Sequence, residues 1–546
     1  MDLQPFFSQD YRDRMRAGGH WPDLTLTECL DRAVAKHPDK VAIRDVNSMT
    51  EQQTTLTFAE LADRVRLVAL GLHRLGVRRG DVVSYQLPNW WEFAALHLAC
   101  LRIGAVTNPL MPIFREHELK FMLGLAEAKV FVVPRIFRGF DFPAMAADLQ
   151  RALPSLEHVL VVGGEGASSF EAALLDPAMP GDADALFAAN KPGPDDIVEL
   201  VYTSGTTGEP KGAMQTSNVM FSNIVAYAER AGLTGDDVLF MASPMAHQTG
   251  FLYGFMMGIY LGATTVYQDV WNPALAADLI EAEGVNFTMG STPFLADLTD
   301  MAEKRPEAMK SLRVFVAGGA PIPRALVRRS IEKLGAKVLS GWGMTENGAV
   351  TVTPLDAPEE KVFETDGLPL SGVTLRILDA EGNVLPTGEE GRLQAQACSM
   401  FAGYYKRAHL NGIDEDNWFE TGDLARLDAD GYVRITGRSK DIIIRGGENV
   451  PVVEVENLLF KHPDVQEVAI VGMPDERLGE RACAFVVTKE AKPMTLADVV
   501  AFLQEQKLSR NYLPERVEVL PAFPRTPSGK IQKFKLREMA ASLKDV

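Results

Sequence analysis

An α/β protein with parallel sheets covered by helices is the fold class that this chain of 546 residues predicts, and two changes of texture along it carry the prediction. From about Thr55 to Asn190, and on to about Leu339, helical stretches alternate with short β runs such as Val82–Gln86 and Val130–Val133. That alternation puts helices on both faces of parallel sheets, here in two subdomains. From about Gly367 the chain turns to short strands and tight turns: Val373–Leu378, the turn at Asp379 to Asn383, Arg392–Gln396, and Tyr432–Thr436 after Asp428-Ala-Asp-Gly431. This predicts a small β-rich subdomain, as a barrel or an open sheet. Beyond Lys440 a further α+β unit has strands near Val465–Val471 and Cys483–Thr488 and helices near Val453–Lys461, Leu496–Gln506 and Phe534–Leu543. The predicted organisation is therefore a large N-terminal domain, 1–439, and a small C-terminal domain, 440–546.

Composition is that of an ordinary globular protein. With 46% hydrophobic residues the chain can bury substantial cores, and the length prior is about three to four domain-sized units. Lys+Arg of 55 against Asp+Glu of 73 gives a net charge of −18, without a basic run, so nucleic acid is not an expected partner and anionic ligands must be held by local geometry. The four cysteines, Cys29, Cys100, Cys398 and Cys483, lie far apart without zinc-type spacing and fit a reducing cytoplasm. The acidic, proline-containing start does not read as an export signal. One stretch, Gly250 to Tyr267, imitates a membrane span: it is uncharged, with glycine at 250, 254, 258 and 262. It is barely long enough and ends in the β-branched run Ala263-Thr-Thr-Val-Tyr267, so the expectation is close packing in a soluble core, with no transmembrane segment. A homodimer is compatible with the sequence, which does not set the oligomeric state.

The densest chemical signal is the loop in Leu200-Val-Tyr-Thr-Ser-Gly-Thr-Thr-Gly-Glu-Pro-Lys-Gly212, directly behind an apolar β run. Gly205 and Gly208 let backbone N–H groups turn toward an anion, Thr203, Ser204, Thr206 and Thr207 add donors, and Lys211 supplies positive charge: a polyphosphate cradle. It is not a Walker loop, because Pro210 precedes the lysine and no Gly-Lys-Ser/Thr closes it.

Four further stretches follow in order: Ser340-Gly-Trp-Gly-Met-Thr-Glu346, Phe419-Glu-Thr-Gly-Asp423, Gly437-Arg-Ser-Lys-Asp441 and Pro527-Ser-Gly-Lys530. With the cradle they resemble the adenylate-forming superfamily of acyl-CoA synthetases, peptide-synthetase adenylation domains and luciferases, over nearly the whole chain. The texture is most similar to bacterial cyclohexanecarboxylate-type and medium-chain acyl-CoA ligases. The resemblance implies a Mg²⁺- and ATP-dependent ligase that joins a small carboxylic acid to AMP and then to CoA, or to a carrier-protein phosphopantetheine. Chemistry explains the residue types: a carboxylate is a poor electrophile, and the phosphate charge must be neutralised at each stage.

The resemblance implies these roles. Glu346 offers a hard oxygen to Mg²⁺, and Thr345 donates to the α-phosphate. Gly319, Ala320, Ser340, Gly341 and Trp342 line the nucleotide, with Trp342 standing where the family usually has tyrosine beside the adenine. Asp423 accepts the ribose hydroxyls and Arg438 contacts ribose or phosphate. Lys530 is the catalytic cation, carried in by a C-terminal domain that swings about Lys440. Gly446 and Gly447 line a tunnel for the pantetheine arm, where missing side chains leave room. His247 gates the carboxylate end of an acyl pocket that includes Gly250, Thr292, Gly318 and Gly343.

From Ala242 to Gln268 no acidic or basic side chain occurs apart from His247, which argues against an amino-acid substrate whose ammonium would need a carboxylate. Phe251, Leu252, Tyr253, Phe255, Met256 and Met257 make the neighbourhood apolar, and a medium-chain or alicyclic acid is the expected substrate. Gln248 and Thr249 could also receive a hydroxylated aromatic acid.

Overall fold

The computed structural model describes residues 5–543 apart from 179, 204–209, 320–323, 380, 439–442, 460, 525–530 and 532. Its N-terminal part contains the two predicted α/β sheets. In the larger, the strands Lys337–Met344, Val314–Gly318, Phe287–Gly290, Val238–Met241, Thr264–Gln268 and Val41–Asn47 are neighbours in that order and all parallel. Antiparallel edge strands close it, Gly348–Val352 with Leu368–Pro369 on one side and Gln52–Thr57 on the other. The pair Val41–Asn47 and Gln52–Thr57 lies ahead of the alternation read from sequence. Its burial does not alternate with period two, so only pairing with Thr264–Gln268 reveals it as a strand beside the core.

The second sheet orders Lys211–Thr216, Ile197–Thr203, Val106–Pro109, Val82–Tyr85, Val130–Pro134 and His158–Val162, parallel except for the first pair. The strand expected to reach Gln86 stops at Tyr85, and the Gln86 side chain instead donates to the carbonyls of Met111 and Phe114 at 2.8 and 3.0 Å.

The β-rich segment is an open four-stranded antiparallel sheet: Val373–Leu378, Gly391–Ala397, Phe419–Leu427 and Val433–Arg438. The C-terminal unit is a five-stranded sheet with the helices Val452–Leu459, Leu496–Glu505 and Lys533–Ser542. Its long hairpin, Val465–Asp475 with Gly479–Thr488, continues past both predicted strands because pairing extends through polar residues as far as Asp475 opposite Gly479.

The run from Gly250 to Tyr267 is a broken helix followed by a strand: Gln248–Gly250, a π-helical stretch Phe251–Met256, Met257–Leu261, then Thr264–Gln268. Its glycines meet neighbours closely. A Cβ on Gly254 would lie 2.6 Å from the Met241 side chain, and one on Gly258 would lie 2.1 Å from the Thr265 hydroxyl. Among the described residues no helix is long and apolar enough to cross a membrane.

Candidate active site

The strand Ile197–Thr203 pairs antiparallel with Lys211–Thr216 so that Thr203 stands opposite Lys211. The two ends of the cradle are thus brought together at a sheet edge, while Ser204, Gly205, Thr206, Thr207 and Gly208 lie outside the described residues. Facing this pair across a cavity of about 270 Å³ are residues from the ends of the large sheet. Gly318 and Gly341 are register partners there, and a Cβ on Gly318 would come within 2.9 Å of the Gly341 carbonyl oxygen, so glycine permits the close approach of the two strands.

The cavity wall includes Thr203, Lys211, His247, Gly318, Gly319, Gly341, Trp342, Gly343, Thr345, Glu346, Asp423 and Gly447. These come from all three parts of the chain that carry motifs. Four candidates do not line it: Gly250 is packed beneath against the Pro244 carbonyl, Thr292 and Ser340 are buried, and Gly446 points its carbonyl at Ser291 Oγ, 3.4 Å away. Ala320, Lys440 and Lys530 lie outside the described residues, as does the Arg438 side chain. The Arg438 backbone sits directly opposite Asp423 in the ladder.

Trp342 and Asp423 are joined by an indole N–H donated to Asp423 Oδ2 at 3.1 Å. Asp423 is buried, and its backbone N–H is donated to Thr421 Oγ1 at 3.1 Å. His247 is half-buried, its Nδ1 accepting from the Thr249 backbone N–H at 3.3 Å; burial lowers its pKa, so the imidazole is neutral near pH 7.

Glu346 reaches the cavity from the turn after Lys337–Met344, and its carbonyl accepts from Phe401 N at 2.6 Å. Its Oε1 accepts from the Tyr404 hydroxyl, which in turn accepts from Lys211 Nζ at 2.6 Å. Lys211 and Glu346 themselves stand 4.0 Å apart. Among the described residues no cluster of three or more histidine, cysteine or acidic side chains could hold a metal. One hard carboxylate beside a lysine nevertheless suits Mg²⁺, which keeps most of its coordination for water and phosphate oxygens.

At the other end of the cavity are Gln248, Thr249, Tyr253 and Met289. Of the apolar run named above only Tyr253 faces the space. Phe251, Leu252, Phe255, Met256 and Met257 are buried in the main core. The Tyr253 hydroxyl donates to Asn223 Oδ1 at 2.7 Å and accepts from Ala349 N at 2.6 Å, which fixes the ring stacked on Tyr227 with centroids 4.2 Å apart. Among the described residues the acidic side chains of the cavity wall are Glu346, Glu420 and Asp423, none of them in the segment from Gln248 to Tyr253.

A second cavity, about 80 Å³, shares Thr203, His247, Thr345 and Gly447 with the first. Its remaining walls are Phe114, Glu118 and neighbours from the N-terminal part, with Glu448, Pro451 and Tyr512 from the C-terminal part. The two parts are tied there by Glu118 Oε1 accepting from Ser509 N at 3.1 Å and by an ion pair between Lys507 and Glu116. Gly447 has φ +87° and would place a Cβ 3.1 Å from that of Ser291. Burial raises the neighbouring Glu448 carboxyl to about 7.

Sequence reasoning missed Tyr404, Met289 and the walls of the second cavity other than Thr203, His247, Thr345 and Gly447. Gly403-Tyr404-Tyr405 carries no motif by itself; its importance follows from a bridge between Tyr404 and Ala213 that sets it beside Lys211.

The comparisons agree over almost the full length. The family model described as AMP-binding enzyme matches residues 30–405, and AMP-binding enzyme C-terminal domain matches residues 454–530. The chain is 37% identical over 535 residues to a medium-chain fatty-acid–CoA ligase of Escherichia coli (strain K12), covering 97% of this chain and 93% of that one. It is 34% identical over 538 residues to the salicyl-AMP ligase / salicyl-S-ArCP synthetase of Mycobacterium tuberculosis, covering 96% and 93%. Among solved structures, apo MbtA of Mycobacterium smegmatis superposes with a TM-score of 0.72 at 32% identity, covering 98% of each chain.

Proposed function

Because the chain belongs to the AMP-binding enzyme family, we propose that it is an acid–CoA ligase acting on a medium-chain or alicyclic carboxylic acid. The observation that carries the reading is one cavity with two chemically distinct ends. Lys211, Thr345, Glu346, Trp342 and Asp423 form the polar group, and Tyr253 and Met289 belong to a group that, among the described residues, has no acidic member. His247 lines this cavity and also borders the second one.

In the first step a carboxylate oxygen of the acid attacks the α-phosphorus of ATP, the bond to pyrophosphate breaks, and acyl-AMP remains. Lys211 balances phosphate charge, Thr345 donates to an α-phosphate oxygen, Asp423 accepts the ribose hydroxyls and Trp342 covers the adenine. Lys530, brought by the C-terminal domain, bridges carboxylate and α-phosphate. When held by Glu346 and the phosphates, Mg²⁺ would neutralise charge growing on pyrophosphate. In the second step the CoA sulfur attacks the acyl carbon, AMP leaves with the electron pair of its C–O bond, and the thiol proton is released. The second cavity, opening at Gly447, is the route assigned to that thiol. The domain boundary near Lys440 lets the small domain turn between the two steps.

Glu346→Gln is expected to raise the Mg²⁺ concentration needed for half-maximal adenylation by at least ~10-fold, since it removes charge at nearly constant volume. A Mg²⁺ titration of acid-dependent pyrophosphate release checks it, and an unchanged midpoint would rule out the ligand role.

A second reading, an aryl acid passed to a carrier protein, is favoured by the similarity to the salicyl-AMP ligase and by the amide and hydroxyl of Gln248 and Thr249 at the acyl end. A panel of octanoate, cyclohexanecarboxylate and salicylate, each with CoA, with phosphopantetheinylated carrier protein and with neither, separates the two. The proposal expects the fastest AMP formation from octanoate or cyclohexanecarboxylate with CoA. Salicylate turnover that requires the carrier would replace it with the second reading.

A further inference from the structure

Lys211 and Glu346 carry opposite charges 4.0 Å apart in a partly closed cavity, too far for a direct hydrogen bond and close enough to attract strongly. The Tyr404 hydroxyl fills the gap, accepting from Lys211 Nζ at 2.6 Å and donating to Glu346 Oε1. A hydroxyl can do both at a single atom, which neither a carbonyl nor an ammonium can. Among the described residues no donor reaches the other carboxylate oxygen, Oε2.

The tyrosine is held firmly. It is 2% exposed, its N–H donates to Asn411 Oδ1 at 2.9 Å, and Tyr405 N donates to the Gly212 carbonyl at 2.8 Å. Its ring packs edge-on against Phe401 with centroids 4.6 Å apart, and Phe401 N is the donor to the Glu346 carbonyl. One short segment therefore fastens both the strand that starts at Lys211 and the turn that carries Glu346.

We propose that Tyr404 is a positioning residue that keeps Lys211 and Glu346 from closing into a direct ion pair. The ammonium then remains available to phosphate oxygens and the second carboxylate oxygen to Mg²⁺. The proposal rests on the reading that this cavity takes Mg²⁺ and ATP. Without the hydroxyl, the two charges collapse onto each other, and an incoming nucleotide must first break that pair.

The test is calorimetric binding of α,β-methylene-ATP in Mg²⁺, which cannot turn over, to the wild type, Tyr404→Phe, Glu346→Gln and the double variant. Phenylalanine retains the ring, and thermal unfolding of each variant checks that the fold survives. Tyr404→Phe is expected to weaken binding ~10-fold, whereas adding it to Glu346→Gln should cost less than ~2-fold, because a neutral amide no longer draws the lysine in. Unchanged affinity in Tyr404→Phe would overturn the proposal. So would losses that multiply in the double variant, which would mean direct contact with nucleotide or simple structural damage. Wild type that fails to bind the analogue would overturn the nucleotide reading itself, and this inference with it.

Discussion

Lys530→Ala is expected to slow acyl-adenylate formation from ATP and acid by ~10²–10³-fold, the effect of losing a preorganised charge at a transition state, with each ~1.4 kcal/mol worth a factor of ten. Supplied acyl-AMP bypasses that step. If the C-terminal domain turns about Lys440, the lysine is remote during thiol attack, and the variant should convert acyl-AMP and CoA to thioester at close to the wild-type rate. The contacts at the second cavity give that expectation a structural form. Gly447 from the C-terminal part lines both cavities, and Glu118 and Glu116 engage Ser509 and Lys507, so the second cavity, the proposed thiol route, is walled by both parts of the chain. Both half-reactions should be measured on one preparation. Equal impairment would overturn domain alternation, and unimpaired adenylation would remove Lys530 from the chemistry.

Gly447→Leu should show the opposite asymmetry. Its φ of +87° disfavours any side chain, and a Cβ would already press on Ser291 at 3.1 Å, so the rest of a leucine must enter the space where the two cavities meet. Thioester formation from acyl-AMP is expected to fall by at least ~10²-fold while adenylation stays within ~3-fold of wild type. Gly447→Ala, which adds the backbone strain with far less bulk, should fall between wild type and leucine. Parallel loss of both steps in both variants would mean that the turn, not the tunnel, has been damaged.

The reach of sequence differs with the kind of residue. Alternating helical and β runs made the two parallel sheets legible, because that signal depends on local periodicity, and the glycine and hydroxyl spacing between Thr203 and Lys211 raised the expectation of an anion-binding loop. Trp342, Thr345, Glu346 and Asp423 were legible through motifs, and the structure brings their stretches to one cavity. Strands such as Val41–Asn47 were not, because their pattern acquires meaning only beside Thr264–Gln268.

The acyl end shows the same division. The run from Phe251 to Met257 announced an apolar environment, yet the π-helical stretch turns only Tyr253 to the cavity and buries the rest. A 100° helical wheel cannot assign faces to a turn of different period. Tyr404 is the clearest case. Nothing in Gly-Tyr-Tyr marks it, and a bridge to Ala213 sets its hydroxyl between a lysine 193 positions away and a glutamate 58 positions away. Sequence by itself determined which local segments could form sheets, since those preferences reside in neighbouring residues. Tertiary structure alone decided which charges meet and what stands between them, since contacts of that kind are fixed by long-range packing and pairing.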